Sequence, residues 1–152
     1  MHDVMKKTAE SLEQIIERVL TKTRALDFDQ WSHKPGPAKW SKTELIGHLI
    51  DSANNNLHRF VRATYEEKFK LVYEQDEWVT IQRYGYADTK ALLMLWELLN
   101  RQIIRMLEEY PKERYQVLVD TGKQQPSFHT IEYLAEDYLD HLQHHLKQLE
   151  LI

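Results

Sequence analysis

The chain contains no cysteine. That excludes disulfides, thiolate metal ligands and a protein thiol nucleophile, so any metal site has to be built from His, Asp, Glu or water. Glycine and proline number only four each in 152 residues, which leaves long uninterrupted helices open to the chain. No apolar run approaches the ~20 residues of a membrane span. The opening Met1-His2-Asp3 leads into no signal-peptide hydrophobic region. The cytoplasm is therefore the expected location, with no membrane partner. No run of Lys and Arg is long enough to track phosphates, and the net charge is −4, which argues against nucleic acid as a partner.

What remains is 42% hydrophobic and 29% charged, the balance of a folded globular chain rather than a disordered one. The length suits one domain, residues 1–152. The apolar spacing predicts an all-α four-helix bundle. The first helix is expected from about Asp3 to Leu26, with Met5, Leu12, Ile15, Ile16, Val19 and Leu20 near a 3.6-residue period. Pro35-Gly36-Pro37 stops any helix in the loop that follows. The second helix opens at Ser41 with Glu44 three residues on, the capping-box pattern, and runs to about Thr64. A long connection, 65–87, holds Tyr65, Phe69, Tyr73, Trp78, Tyr84 and Tyr86. The third helix starts near Asp88 or Thr89 and carries Leu92, Leu95, Trp96, Leu99, Ile103 and Met106 before Pro111 ends it. Val117-Leu118-Val119 reads as a short extended piece, and Ser127 or Thr130 caps a last helix that runs almost to Ile152.

The eight histidines are unevenly placed. Asp140-His141-Leu142-Gln143-His144-His145 holds two of them at i,i+4, so their Cβ atoms stand about 5–6 Å apart on one face. On a helical wheel His141 and His145 fall in the apolar sector with Leu134, Tyr138 and Leu142, while His144 points outward. Two imidazoles converging on one ion would use this spacing, but so would two half-buried histidines held by hydrogen bonds. A third ligand decides between them. His48 lies in the middle of the second helix and heads a polar stripe, His48, Ser52, Asn55 and Arg59. The stripe lies away from the helix's mean apolar direction, so it is either a solvated face or a site covered by the aromatic connection. Glu44, one turn earlier, is placed to orient the second ring nitrogen of His48. His2, His33, His58 and His129 read as surface residues.

Three stretches then resemble one family. Trp40-Ser41, His48, Asp51-Ser52, Asn55 and Arg59-Phe60 are similar to the second helix of YfiT-like members of the DinB superfamily. Tyr73 and Trp78 resemble that group's aromatic pair, and Tyr138 to His145 resemble its last helix. The likeness spans about residues 40–150. It implies a four-helix bundle with a long connection between helices 2 and 3. It also implies one divalent metal on His48, His141 and His145, with positions left open. Characterised members of the superfamily use low-molecular-weight thiols such as bacillithiol or mycothiol, and others are described as metal-dependent hydrolases. The chain departs from the pattern at Gln148, where YfiT-like chains tend to have another His.

Three neutral imidazoles would leave such an ion its full double charge, enough to bring the pKa of a bound water to about 7 or to strip a proton from a thiol. The expected function is a metal-dependent enzyme. Thiol S-transfer to a small electrophile leads; metal-dependent hydrolysis and a non-catalytic metal- or partner-binding bundle are the alternatives. Without cysteine, the thiol has to come from a separate small molecule. Arg59, with Arg62 near it, is the candidate for holding a carboxylate or phosphate, with plain surface charge as the other reading. Asp51, Asn55 and Trp78 are expected to shape the pocket, and Asp137, one turn before His141, joins these substrate-side candidates. Zn and Ni lead as metals, with Fe and Mn also compatible. A homodimer formed through helix faces is a further expectation. Free imidazole titrates near pH 6.5, so metal retention is expected to fall through and below about that value.

Overall fold

A computed structural model of the chain describes residues 3–152; His2 lies outside them. Four long helices carry the structure: α1 (Val4–Thr23), α2 (Lys42–Arg62), α4 (Thr89–Glu108) and α5 (Ile131–Gln148). The connection between α2 and α4 holds strand β1 (Phe69–Lys70), the short helix α3 (Gln75–Ile81) and a 3-10 turn at Tyr84–Tyr86. Strands β2 (Leu118–Asp120) and β3 (Phe128–Thr130) lie between α4 and α5.

The helices start where the sequence offers acceptors for their free N–H groups. Asp3 accepts from the amides of Met5 and Lys6. Ser41 and Glu44 form a reciprocal capping box at the head of α2. Asp88 accepts from Lys90 N and Thr130 from Tyr133 N, so Thr130 rather than Ser127 caps the last helix. The apolar stripes meet inside the bundle. Met5, Leu12 and Ile16 face Ile46, Leu49, Phe60, Trp96, Ile103, Leu107, Leu142 and Leu146 in one continuous core. α4 packs on both α1 and α2, and α5 packs on the same two helices. Leu95 departs from its expected inward place: it lies on the outer face of α4, exposed.

The extended piece at Val117–Val119 belongs to a small three-stranded sheet. β1 pairs parallel with β2, with Phe69 beside Val119, and β2 pairs antiparallel with β3, with Val119 beside His129. This sheet fastens the start of the connection to the segment before α5. The connection then returns over α2, where Tyr84 lies against the backbone of Gly47. A Cβ at Gly47 would come 2.1 Å from the Tyr84 ring, so the glycine is what lets the ring approach.

Candidate metal centre

His48 stands in the second turn of α2, and His141 and His145 stand one turn apart on α5. The packing of α2 against α5 brings the three rings together. Nε2 of His141 lies 3.1 Å from Nε2 of His48 and 3.2 Å from Nε2 of His145. One ligand atom from each of the three falls within 4.8 Å of the other two. Nitrogens bound to one ion at 2.0–2.1 Å stand roughly 3.0–3.4 Å apart, depending on coordination number. The spacing fits one ion shared by three imidazoles. A proton would satisfy one edge of this triangle only, since each N–H points at a single neighbour; a cation at the centre satisfies all three lone pairs.

The surroundings favour neutral rings, which a metal requires. Burial pushes the His48 imidazole down to about 3, and the neighbouring His141 and His145 add to this. Burial, with His145 and His144 nearby, takes His141 down to about 4. His145 is lowered too, mainly by burial. Protons therefore compete for His48 and His141 at lower pH than they would for free imidazole. His144 is exposed and stays out of the cluster, as the wheel places it.

The far ring nitrogens are held unequally. His145 Nδ1 donates to Oε1 of Gln148 at 2.7 Å, which fixes the tautomer that turns the Nε2 lone pair inward. His141 Nδ1 reaches Oγ of Ser52 at 3.5 Å. His48 Nδ1 is buried without a partner, and the ring of Trp40 lies across its imidazole, centroids 4.7 Å apart. Glu44 does not orient His48. Its carboxylate closes the cap on Ser41 N and pairs with Lys34 at 2.9 Å, because the helix start claims it first.

The polar stripe of α2 is covered rather than solvated: His48 is 1% exposed, Asp51 0%, Ser52 3% and Asn55 6%. Asp51 Oδ1 accepts from the Tyr84 hydroxyl at 2.7 Å and from Gln82 Nε2 at 2.8 Å, both on the connection. Burial raises its carboxyl above the usual range, partly offset by these two bonds. Its other oxygen, Oδ2, is buried without a partner. Asn55 turns its amide back to the Asp51 carbonyl. Arg59 is half-buried and gives Nη2 to the Leu71 carbonyl at 2.8 Å, so it ties α2 to the connection. Its guanidinium is lowered by burial, against which Tyr73 and Asp137 act. Arg62 does not join it: it pairs with Glu66 at 2.8 Å and lies over Phe69. Trp78 is exposed at the edge and meets Tyr73 edge-on, ring centroids 5.6 Å apart. Asp137 is exposed on α5.

Tyr84, Gln82 and Gln148 take part in the site without being marked as candidates by the sequence. Only Gln148 left a signal, its i+3 spacing from His145. Of the remaining histidines, His33 and His58 are exposed, while His129 is half-buried, stacked on Tyr133 and bonded to Ser127 at 3.0 Å.

Comparison with known proteins places the fold. No curated protein sequence matches the chain. Among solved structures it is similar to YfiT from Bacillus subtilis, described as a probable metal-dependent hydrolase with an unusual four-helix bundle topology. The TM-score is 0.83 at 20% identity, covering 97% of this chain and 85% of that one. It is also similar to the mycothiol-dependent maleylpyruvate isomerase, with a TM-score of 0.71 at 14% identity, covering 96% of this chain and 62% of that one. At these identities the likeness establishes the fold, the DinB/YfiT-like four-helix bundle. The sequence profile of the DinB superfamily matches residues 11–149, and the chain belongs to that superfamily.

Proposed function

We propose that this chain is a metal-dependent enzyme that holds one divalent ion on His48, His141 and His145 and transfers a low-molecular-weight thiol to a small electrophile. The observation that carries the reading is the triangle of Nε2 atoms at 3.1 and 3.2 Å between rings kept neutral by burial. An ion bound by three neutral imidazoles keeps its double charge and acidifies a thiol or a water that it binds. The three rings come from two helices, and no carboxylate joins them among the described residues, so coordination positions remain for a small molecule.

The chain's own residues supply the rest. Gln148 fixes the His145 tautomer. Asp51 positions the wall of the site by binding Tyr84 and Gln82 together. Arg59 fixes the same wall at Leu71, and its remaining donors, with Asn55, Trp78 and Asp137, form the side on which a polar thiol compound would lie. Precedent for thiol use is the mycothiol-dependent isomerase among the structural relatives. Zn and Ni suit three imidazoles best, with Fe and Mn also compatible.

Metal-dependent hydrolysis is the second reading, favoured by the description of YfiT as a probable hydrolase and by the same acidifying centre. The experiment is metal analysis of untagged protein purified without added metal, followed by turnover assays with bacillithiol, glutathione, coenzyme A or cysteine and a generic electrophile. Metal-dependent turnover that requires a thiol supports transfer. Cleavage of a simple ester or amide without thiol replaces it with hydrolysis. Metal without any turnover leaves a binding protein, and no metal overturns both enzyme readings.

A further inference from the structure

α2 and α5 run antiparallel past the three histidines. His48 meets His145, ring centroids 5.0 Å apart. Ser52, one turn later on α2, meets His141, one turn earlier on α5, at 3.5 Å. One further turn in the same register brings Asn56 level with Asp137. The Arg59 side chain bends back toward the start of α2, as long helical side chains do, and its Nη1 donates to Asn56 Oδ1 at 3.3 Å. The guanidinium therefore lies at the level of Asp137, the next turn along from the histidine cluster. Asp137 acts on it through space and favours its charged form against burial.

Neither charge has a counter-ion. Arg62, Arg101 and Arg114 each pair with a glutamate of this chain. Arg59 is half-buried as they are, yet it forms no ion pair among the described residues. Its two bonds go to neutral oxygens, Asn56 Oδ1 and the Leu71 carbonyl, and Nε is buried without a partner. That leaves N–H donors on both Nη atoms unused. Cations withdrawn from water in a folded chain are normally paired. Asp137 is exposed on the facing helix and forms no ion pair among the described residues either. Tyr73, on the connection, stands over the same stretch with its hydroxyl beside Ser52 and near Arg59.

We propose that the gap between Arg59 and Asp137 takes the zwitterionic head of an amino-acid thiol, carboxylate on Arg59 and ammonium on Asp137, with the sulfur directed at the three histidines. This rests on the thiol-transfer reading and narrows it to thiols that keep a free amine and a free carboxylate. The planar guanidinium fork suits a carboxylate. A carboxylate alone would satisfy Arg59 and be repelled by Asp137; an amine alone would satisfy Asp137 and be repelled by Arg59. Only a ligand that carries both signs meets both groups favourably.

The test titrates the cobalt(II)-loaded full chain with cysteine, cysteamine and 3-mercaptopropionate, which carry both charges, the amine alone and the carboxylate alone. A thiolate-to-cobalt absorption band reads binding without any turnover. In Arg59→Gln the dissociation constants of cysteine and 3-mercaptopropionate should rise about tenfold, the effect of one hydrogen bond to a charged group, while cysteamine holds or tightens. In Asp137→Asn cysteine and cysteamine should weaken about threefold, as for an exposed ion pair, while 3-mercaptopropionate binds as well or better. A merely structural role of either residue would shift all three thiols together. Asp137→Asn, at an exposed position, carries the test by itself if Arg59→Gln loses helical circular dichroism. Equal shifts for the three thiols, or no shift, overturn the zwitterion site and leave the thiol reading standing. No absorption band with any thiol overturns the thiol reading, and this site with it.

Discussion

Gln148 accepts the Nδ1 hydrogen of His145 across 2.7 Å, one turn further along α5. The bond does two things at once. It sets which ring nitrogen carries the proton, and it holds the ring plane so that Nε2 faces His141 at 3.2 Å. Replacing Gln148 by Ala should therefore weaken metal binding by roughly 10–100-fold, the usual effect of losing such a partner, while leaving the fold intact at this exposed position. Gln148→Glu should restore it, since a carboxylate accepts the same hydrogen. Competition with a chromophoric chelator measures this, and an affinity unchanged in Gln148→Ala would remove the assigned role.

The three imidazoles should not be interchangeable with their neighbour. His141 sits between the other two rings, so His141→Ala breaks both short edges of the triangle. Metal content should drop from near one equivalent to near zero. His144→Ala, on the exposed face, should leave the stoichiometry alone. Elemental analysis of the two variants, purified side by side, gives the answer; equal metal in both would place the ion elsewhere.

Stability of the metal-free protein should fall as pH drops below about 6.5. The sign follows from the folded imidazoles, held down to about 3 at His48 and about 4 at His141, while the unfolded chain protonates near its ordinary value. Below that value the unfolded state binds more protons, so unfolding gains at most about 1.4 kcal/mol per pH unit for each such histidine, down to the folded pKa. Asp51 acts in the opposite direction in the carboxylate range, because its raised carboxyl takes up a proton more readily when folded. Urea unfolding between pH 7.5 and 5 isolates the histidine effect. A flat profile would mean that these rings are open to water. Metal already bound should stay on the folded protein at pH 5.5, checked by dialysis and metal analysis.

Gly47 should resist substitution even though alanine is the better helix former by about 1 kcal/mol. A methyl there would sit 2.1 Å from the Tyr84 ring, and overpacking of this kind costs about 1–3 kcal/mol. Moving Tyr84 also withdraws its hydroxyl from Asp51. Gly47→Ala is therefore expected to lower Tm, and in a Tyr84→Ala background the same substitution should instead raise Tm slightly, by the helix preference of alanine. A thermal melt of the two single variants and the double variant forms the cycle. A higher Tm for Gly47→Ala alone would show that the ring does not rest there.

Much of the chain was legible before folding because helix signals are local. The cap at Ser41, the stop at Pro111 and the inward i,i+4 pair of His141 and His145 depend on neighbours within a turn or two, so they are readable from the sequence. The same local period turns His144 outward. The period of the second helix alone leaves His48 open, and only the family resemblance implies it as a ligand, because burial of a polar stripe is not a property of the helix that carries it. That depends on what crosses it: here the connection at Gln82 and Tyr84, and α5 at His141, 93 residues away in the chain. Glu44 is ambiguous in the sequence for a related reason, since two acceptable partners lie within reach and the helix start takes it. Leu95 fits the apolar period yet faces outward, because a period fixes the direction of a stripe and leaves its edge to packing. Local hydrogen bonding and side-chain period thus determined the helices and the His141–His145 pair from sequence. Only the tertiary structure decided that His48 joins them and that Asp51 lies buried, because desolvation and long-range approach arise when the helices pack.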